Sequence, residues 1–265
     1  MARPVLRGPR PGNGPGLPDG ARRDNAAAPH LVAALDQVAG VVLGQLAVGA
    51  KTNEIPCVRE LLTCFNLAGA VISADAMHTQ TDTAEMITAA GGDYVFTIKN
   101  NTPTLRAKLK ALPWKQVPPT RNTQTGHGRR VTRTIKVLTV PDWIDFPGAA
   151  QVAQLRRTVT TRGKKPSVEV VYLVTSADHV AAPPTVLASW VQGQWAIENR
   201  LHWVRDVTFA EDLSRVRTGN APRVMATLRS TVIGILRLDG WTNIASGLRH
   251  HARRSERVIE PLLTS

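Results

Sequence analysis

Residues 70–99 read AVISADAMHTQTDTAEMITAAGGDYVFTIK, and this stretch decides the fold. Ala70-Val71-Ile72-Ser73-Ala74 is a small and apolar run ended by Asp75, and Tyr94-Val95-Phe96-Thr97-Ile98-Lys99 is a second. Neither alternates polar with apolar, which is the pattern of strands buried on both faces. Between them Thr79 to Ala90 has helical spacing, and Gly91-Gly92 closes it. Strand, helix, strand in this order predicts an α/β fold with a mixed sheet.

Upstream, residues 30–35 and 41–48 are two apolar runs separated by Asp36-Gln37-Val38-Ala39-Gly40, the signature of a β-hairpin. A helix is expected next, capped by Thr52 or Asn53, with Ile55, Val58, Leu61 and Leu62 facing inward. Downstream, Thr102 or Thr104 starts another helix. Residues 129–140, 152–161 and 168–175 then alternate like strands and predict a β-rich insertion before a long helix from about Thr185 to Arg205. A further helix is predicted over about 220–237.

The 265 residues carry 33 Lys and Arg against 20 Asp and Glu, a net charge of +13. Such a surface selects a polyanion, with nucleic acid ahead of an anionic membrane. No apolar run is long enough to span a bilayer, and residues 1–29 hold six Pro and five Gly where a secretory signal needs an apolar core. A cytoplasmic protein is expected, its residues 1–28 forming a disordered leader. Cys57 and Cys64 read as buried thiols of a reducing compartment, and no other cysteine exists to build a zinc site.

Two places carry candidate chemistry. Asp75 ends a strand, where α/β sheets form their ligand crevice, although an Asp in that position also caps helices. In Gln194-Trp195-Ala196-Ile197-Glu198-Asn199-Arg200-Leu201-His202-Trp203-Val204-Arg205, helical spacing at ~100° per residue groups Glu198, His202 and Arg205 on one face, flanked by Gln194 and Trp195. Trp190, Ile197, Leu201 and Val204 make the neighbouring apolar stripe. A surface helix with Glu198 paired to His202 or Arg205 has the same spacing. From Tyr94 to Pro141 there is no acid, while ten Lys and Arg accumulate, among them Lys99, Arg106, Arg129, Arg130 and Arg133. That bias predicts a surface facing phosphates.

Several ordered segments together resemble one family. They are Lys51-Thr52-Asn53-Glu54-Ile55-Pro56, Ala74-Asp75-Ala76-Met77-His78-Thr79-Gln80, Gly92-Asp93-Tyr94-Val95 with Ile98-Lys99-Asn100-Asn101, Gly126-His127-Gly128-Arg129, Trp195 to Trp203, and Glu211-Asp212 with Gly219-Asn220-Ala221-Pro222. They are similar to the DDE transposases of bacterial insertion sequences, in the ISAs-type group, over about residues 28–240. The resemblance implies a ribonuclease-H-like mixed sheet flanked by helices, with the β-rich insertion at about 115–180 inside a catalytic domain at 29–240. A basic tail at 241–265 completes the expected organisation.

The same resemblance implies metal-dependent cleavage and transfer of DNA strands, with Mg2+ or Mn2+ in a two-metal site held by three carboxylates. Asp75 matches the second acid and Glu198 the third. Lys99, Asn100, Arg106, His127, Arg129, Arg130, Gln194, Trp195, His202 and Arg205 are the expected DNA contacts at transposon ends, and a homodimer on DNA is the expected assembly. Arg205 stands where the family's signature helix has Lys, Gln194 where it has Arg, and Val191 where it has Tyr. Trp195 either stacks on a displaced base or packs in the core.

Aligning Leu6-Arg7-Gly8 puts Ala2 where the family has its first acid. Asp19-Gly20 lies in the leader, and Asp36 ends an antiparallel strand, so neither is expected to replace it. The chain therefore reads as an N-terminally truncated transposase with a compromised metal site. A DNA-binding fragment that inhibits an intact relative is the alternative, and a basic RNA-associated structural protein is a third reading.

Overall fold

The computed structural model describes residues 4–7 (backbone only), 30–49, 53–126, 128–194 and 197–253. The chain forms two compact units, one from Phe65–Gln194 and the other from Ala2–Cys64 with Trp195–Ser265.

In the first unit, β4 (Val71–Ala74) and β5 (Asp93–Ile98) are parallel, joined by α2 (Thr81–Ala89). Both strands are buried almost throughout, as their unalternating sequences require. The other edge of β5 pairs antiparallel with β9 (Ser167–Thr175). Beyond β9 come β8 (Gln151–Thr161), β7 (Arg129–Thr139) and β6 (Thr120–Gly126), each antiparallel to its neighbour. These four strands are the β-rich insertion.

Two helical layers cover the base of this sheet. On one face Ile135, Ala153 and Leu173 pack with Leu187, Trp190 and Val191 of α4 (Pro184–Gln194). On the other, α3 (Pro103–Ala111) leads into Trp114, which lies against Tyr172 with ring centroids 6.1 Å apart. Lys136 donates to the Trp114 carbonyl from the same face.

In the second unit, β1 (Pro4–Arg7), β2 (Leu31–Asp36) and β3 (Val42–Ala47) form an antiparallel set. The Asp36 carboxylate accepts from Val38 N at 2.7 Å and Ala39 N at 3.3 Å, so this acid shapes the hairpin turn. The helix α1 (Glu54–Thr63) begins at Asn53, whose Oδ1 accepts from Ile55 N at 3.1 Å. Ala33 and Leu35 share a core with Ile197, Leu201 and Val204, with Ile233 and Leu236 of α5 (Ala221–Leu238), and with Ile244 of α6 (Ile244–Ala252).

A hairpin, a helix, and then parallel strands joined by a helix are the α/β order with a mixed sheet that the sequence predicts, and β1 adds a third antiparallel strand to the hairpin. The corrections are local. Strand β1 lies inside the expected leader, and β6 was not anticipated, because its polar sequence TRNTQTG shows no alternation. The expected basic tail contains α6, which is anchored by buried Ile244 and capped by Asn243. Cys57 is buried but Cys64, at the end of α1, is exposed. Ile55 is only half-buried, and Glu54 is buried instead, 2.5 Å from His30 Nε2.

Close approach after α2 constrains one residue sharply. A Cβ on Gly92 would stand 2.8 Å from the Leu67 carbonyl oxygen and 3.3 Å from Ile87, both of which have little room to move. Gly92→Ala is expected to destabilise the chain by about 1–3 kcal/mol. Thermal denaturation followed by circular dichroism reads this directly, and an unchanged midpoint would contradict the packing.

Candidate functional site

Asp75 leaves the carboxyl end of β4 in an extended conformation, φ −64° and ψ 160°, just before a short 3-10 turn at Ala76–His78. Its side chain makes no capping hydrogen bond to that turn, which disposes of the simple helix-cap reading. Instead Gln194 Nε2, at the end of α4, donates to Asp75 Oδ1 at 3.3 Å. Gln194 is buried and Asp75 half-buried.

The loop after Asp75 is tied to the end of β5. Thr79 Oγ1 donates to the Thr97 carbonyl at 2.9 Å, and Asn101 Nδ2 donates to the Ala76 carbonyl. The carboxyl ends of two parallel strands therefore hold one loop system, with Lys99 and Asn100 exposed beside it. A cleft of about 340 Å³ opens between the starts of α2 and α3, lined in part by Gln80, Thr102, Thr104 and Lys108. Arg106, on α3, is half-buried, and Arg129 and Arg130 are exposed at the start of β7.

Glu198 belongs to the second unit. The helical segment that carries it is not regular α-helix: Glu198–His202 and Val204–Thr208 are π turns, with Trp203 N donating to Glu198 O. Ile197, Leu201 and Val204 are buried, as the apolar stripe predicts, while Glu198 and His202 are half-buried. Wider turns shift every later residue relative to an α-helical register, and π turns are enriched at functional sites. Arg200 fastens the segment to the β2–β3 turn by donating to the Gln37 carbonyl at 3.0 Å and the Val38 carbonyl at 3.5 Å. Gly40, at φ +71°, leaves the space: a Cβ there would stand 2.8 Å from the Arg200 guanidinium carbon.

Two of the expected DNA contacts make side-chain bonds within the protein. Arg205 is buried and engaged by Glu211, Nε to Oε2 at 2.5 Å and Nη2 to Oε1 at 2.6 Å. It is a structural cation, because desolvating a guanidinium requires a carboxylate partner. Gln194 is buried and donates to Asp75. Trp195 and His127 lie outside the described residues. Sequence reading assigned no role to Glu211, although it stands in the quoted segment Glu211-Asp212, since only the folded chain brings it onto Arg205. Glu211 also lies 3.6 Å from Arg229.

Carboxylates crowd this segment. Burial first, and then Asp212, Glu211 and Glu198, push the Asp206 carboxyl above the usual carboxylate range, against an opposing pull from Arg205. Among the described residues, no three His, Cys, Asp or Glu side chains group so as to hold a metal ion, and no helix is long and apolar enough to cross a membrane.

A family model described as Transposase DDE domain matches residues 9–235. YbfL of Escherichia coli strain K12 is 32% identical over 251 residues, covering 89% of this chain and 65% of its own length. The H repeat-associated candidate transposase YhhI of the same strain is 31% identical over the same coverage. The chain thus spans 65% of the length of each of these relatives. A cryo-EM structure of a piggyBac transposase synaptic complex with hairpin DNA is similar at TM-score 0.48 and 12% identity, over 91% of this chain and 47% of that one.

Two outcomes follow from the electrostatics of the second unit. Asp206 keeps its proton to higher pH in the folded chain than in the unfolded one, so its ionised form costs stability above that window and nothing below the ordinary carboxylate value. Asp206→Asn should therefore raise the melting temperature at neutral pH, with the gain fading as pH falls through the carboxylate range. Glu211→Gln should destabilise by about 2–3 kcal/mol, somewhat less than the roughly 3–5 of a fully buried pair, because Arg205 is left without its counter-charge. Chemical denaturation of both variants over a pH series measures these effects, and stability of Glu211→Gln equal to the parent would refute the structural role.

Proposed function

The chain belongs to the transposase DDE domain family, and from that premise we propose that it acts in insertion-sequence transposition by binding DNA ends, with Asp75 and Glu198 as the family's second and third acids. The observation that carries this reading is Asp75 itself: it ends a buried parallel strand, spends nothing on a helix cap, and is oriented by a buried amide. Lys99, Asn100, Arg106, Arg129 and Arg130 supply the polar and cationic surface for a DNA backbone, and the net charge of +13 supplies long-range attraction. Two chains across two ends in the bacterial cytoplasm is the assembly this reading implies.

Divalent metal is the cofactor that the family implies. The described residues do not fit a complete site for it: no group of three metal-binding side chains is present among them, and one oxygen of Asp75 already accepts from Gln194. Ala2 stands where the resemblance places the first acid. A second reading is that the chain holds DNA without cutting it and competes with an intact relative for the same ends.

Binding and cutting separate the readings. Fluorescence anisotropy on duplex DNA taken from the flanks of the gene should show affinity that falls steeply with salt. End-labelled duplex incubated with Mg2+ or Mn2+ should show no nicking above that of Glu198→Ala if the second reading holds. Nicking that both Asp75→Ala and Glu198→Ala abolish would establish the first. Absence of salt-dependent DNA binding would sink both.

A further inference from the structure

Beyond the base of the first unit's sheet, strands β6–β9 run on as an arm rich in Arg, Lys and Thr, with only a few valines, among them Val131, Val159, Val168 and Val170, spread over its two faces. Residues 120–139 and 151–169 hold ten Lys and Arg and a single acid, Glu169. Strand β6 is exposed along nearly its whole length, and Cβ atoms added at Gly126, Gly128 or Gly163 near the tip would meet nothing within 4 Å. So few apolar side chains gain little from burial, and the excess of positive charge needs another explanation.

The register sorts the cations between the faces. Arg121, Thr134 and Arg156 lie in one cross-strand row, with threonine separating the charges. On the opposite face, continuous with the Ile135 core layer, Asn122, Arg133, Arg157 and Glu169 make the next row, and here two arginines are direct neighbours. Like charges directly opposite each other on one sheet face are destabilising. Burial and the nearby Arg157 both hold the Arg133 pKa below its ordinary value.

Flanking groups hold both side chains in place. Arg133 Nη1 donates to Gln124 Oε1 at 2.9 Å, a neutral acceptor. Arg157 Nη1 stands 3.9 Å from Glu169 Oε2, whose side chain is 54% exposed, so the pair is weak. Arg129 lies four residues further along the same face, ~13 Å at strand rise. Two guanidinium groups side by side, with the exposed Arg129 farther out on the same face, match an anion repeated along a backbone.

We propose that the core-side face of the distal β6–β9 arm grips the phosphate backbone of duplex DNA, with the in-register Arg133–Arg157 pair holding one phosphate between its guanidinium groups. The inference deepens the DNA-binding reading and rests on it. None of the expected contacts from the sequence includes Arg157, since no spacing along the chain links it to Arg133.

The test uses the full chain and duplex DNA of arbitrary sequence, with affinity measured across a salt series. Arg133→Gln with Arg157→Gln should flatten the slope of log affinity against log salt by about two. Arg121→Gln with Arg156→Gln removes the same charge from the other face and should leave the slope near that of the parent. Equal flattening in the two double variants would reduce the arm to a diffuse field and overturn the clamp. Removing the neighbouring like charges should also leave the melting temperature of the DNA-free chain unchanged or higher, and a marked loss would mark the pair as structural. If the parent itself fails to bind duplex DNA, the family reading falls along with the arm. If it prefers an RNA hairpin, duplex DNA is not the ligand and the proposal is overturned.

Discussion

Strand β5 satisfies hydrogen-bonding ladders of opposite sense on its two edges, parallel to β4 and antiparallel to β9. Its residues Tyr94, Phe96 and Ile98 are fully buried, so every backbone polar group along it must be paired within the sheet. The first unit depends on that strand. On one side it fixes a strand–helix–strand crossover, whose carboxyl ends carry Asp75 and Lys99. On the other it launches the antiparallel arm. Tyr94 closes the arrangement by donating its hydroxyl to the Pro147 carbonyl at 2.7 Å, while the Ser176 hydroxyl donates to Asp93 at 2.7 Å.

In the second unit, charge is managed by pairing. Arg205 and Arg229 converge on Glu211, Arg200 spends its donors on backbone carbonyls of the hairpin turn, and Arg237 is held below its usual pKa by burial and by Arg200. A chain with thirteen excess positive charges can bury guanidinium groups only where each finds an acceptor. Other cations, such as Arg129 and Arg130 at the start of β7, stay exposed.

Much of the element order was legible in the sequence because strong local signals agree with the final packing. The hairpin, Asn53 as a cap, the apolar strands at 71–74 and 93–98 and the insertion strands were all visible in periodicity and turn residues. Strand β6 was not, since a wholly polar edge strand carries no hydrophobic pattern to read. The helix through Glu198 looked regular because apolar spacing of three and four survives inside a π turn. The shift shows only in backbone hydrogen bonds from residue i+5, such as Phe209 N to Val204 O at 3.2 Å.

The sequence by itself determined the α/β class, the family, and the identity of Asp75 and Glu198 as candidate acids, because short-range patterning and residue order carry that information. Only the tertiary structure decided which polar groups are already spent. Arg205 and Gln194 read as ligand contacts from helical spacing, yet each is committed inside the protein, to Glu211 and to Asp75. Arg133 and Arg157 are far apart in sequence and read as ordinary surface cations, yet strand register sets them opposite each other. Spacing along a chain fixes which side of an element a residue occupies. Which partner waits there depends on elements distant in sequence, whose approach is settled by burial and hydrogen bonding of the whole fold.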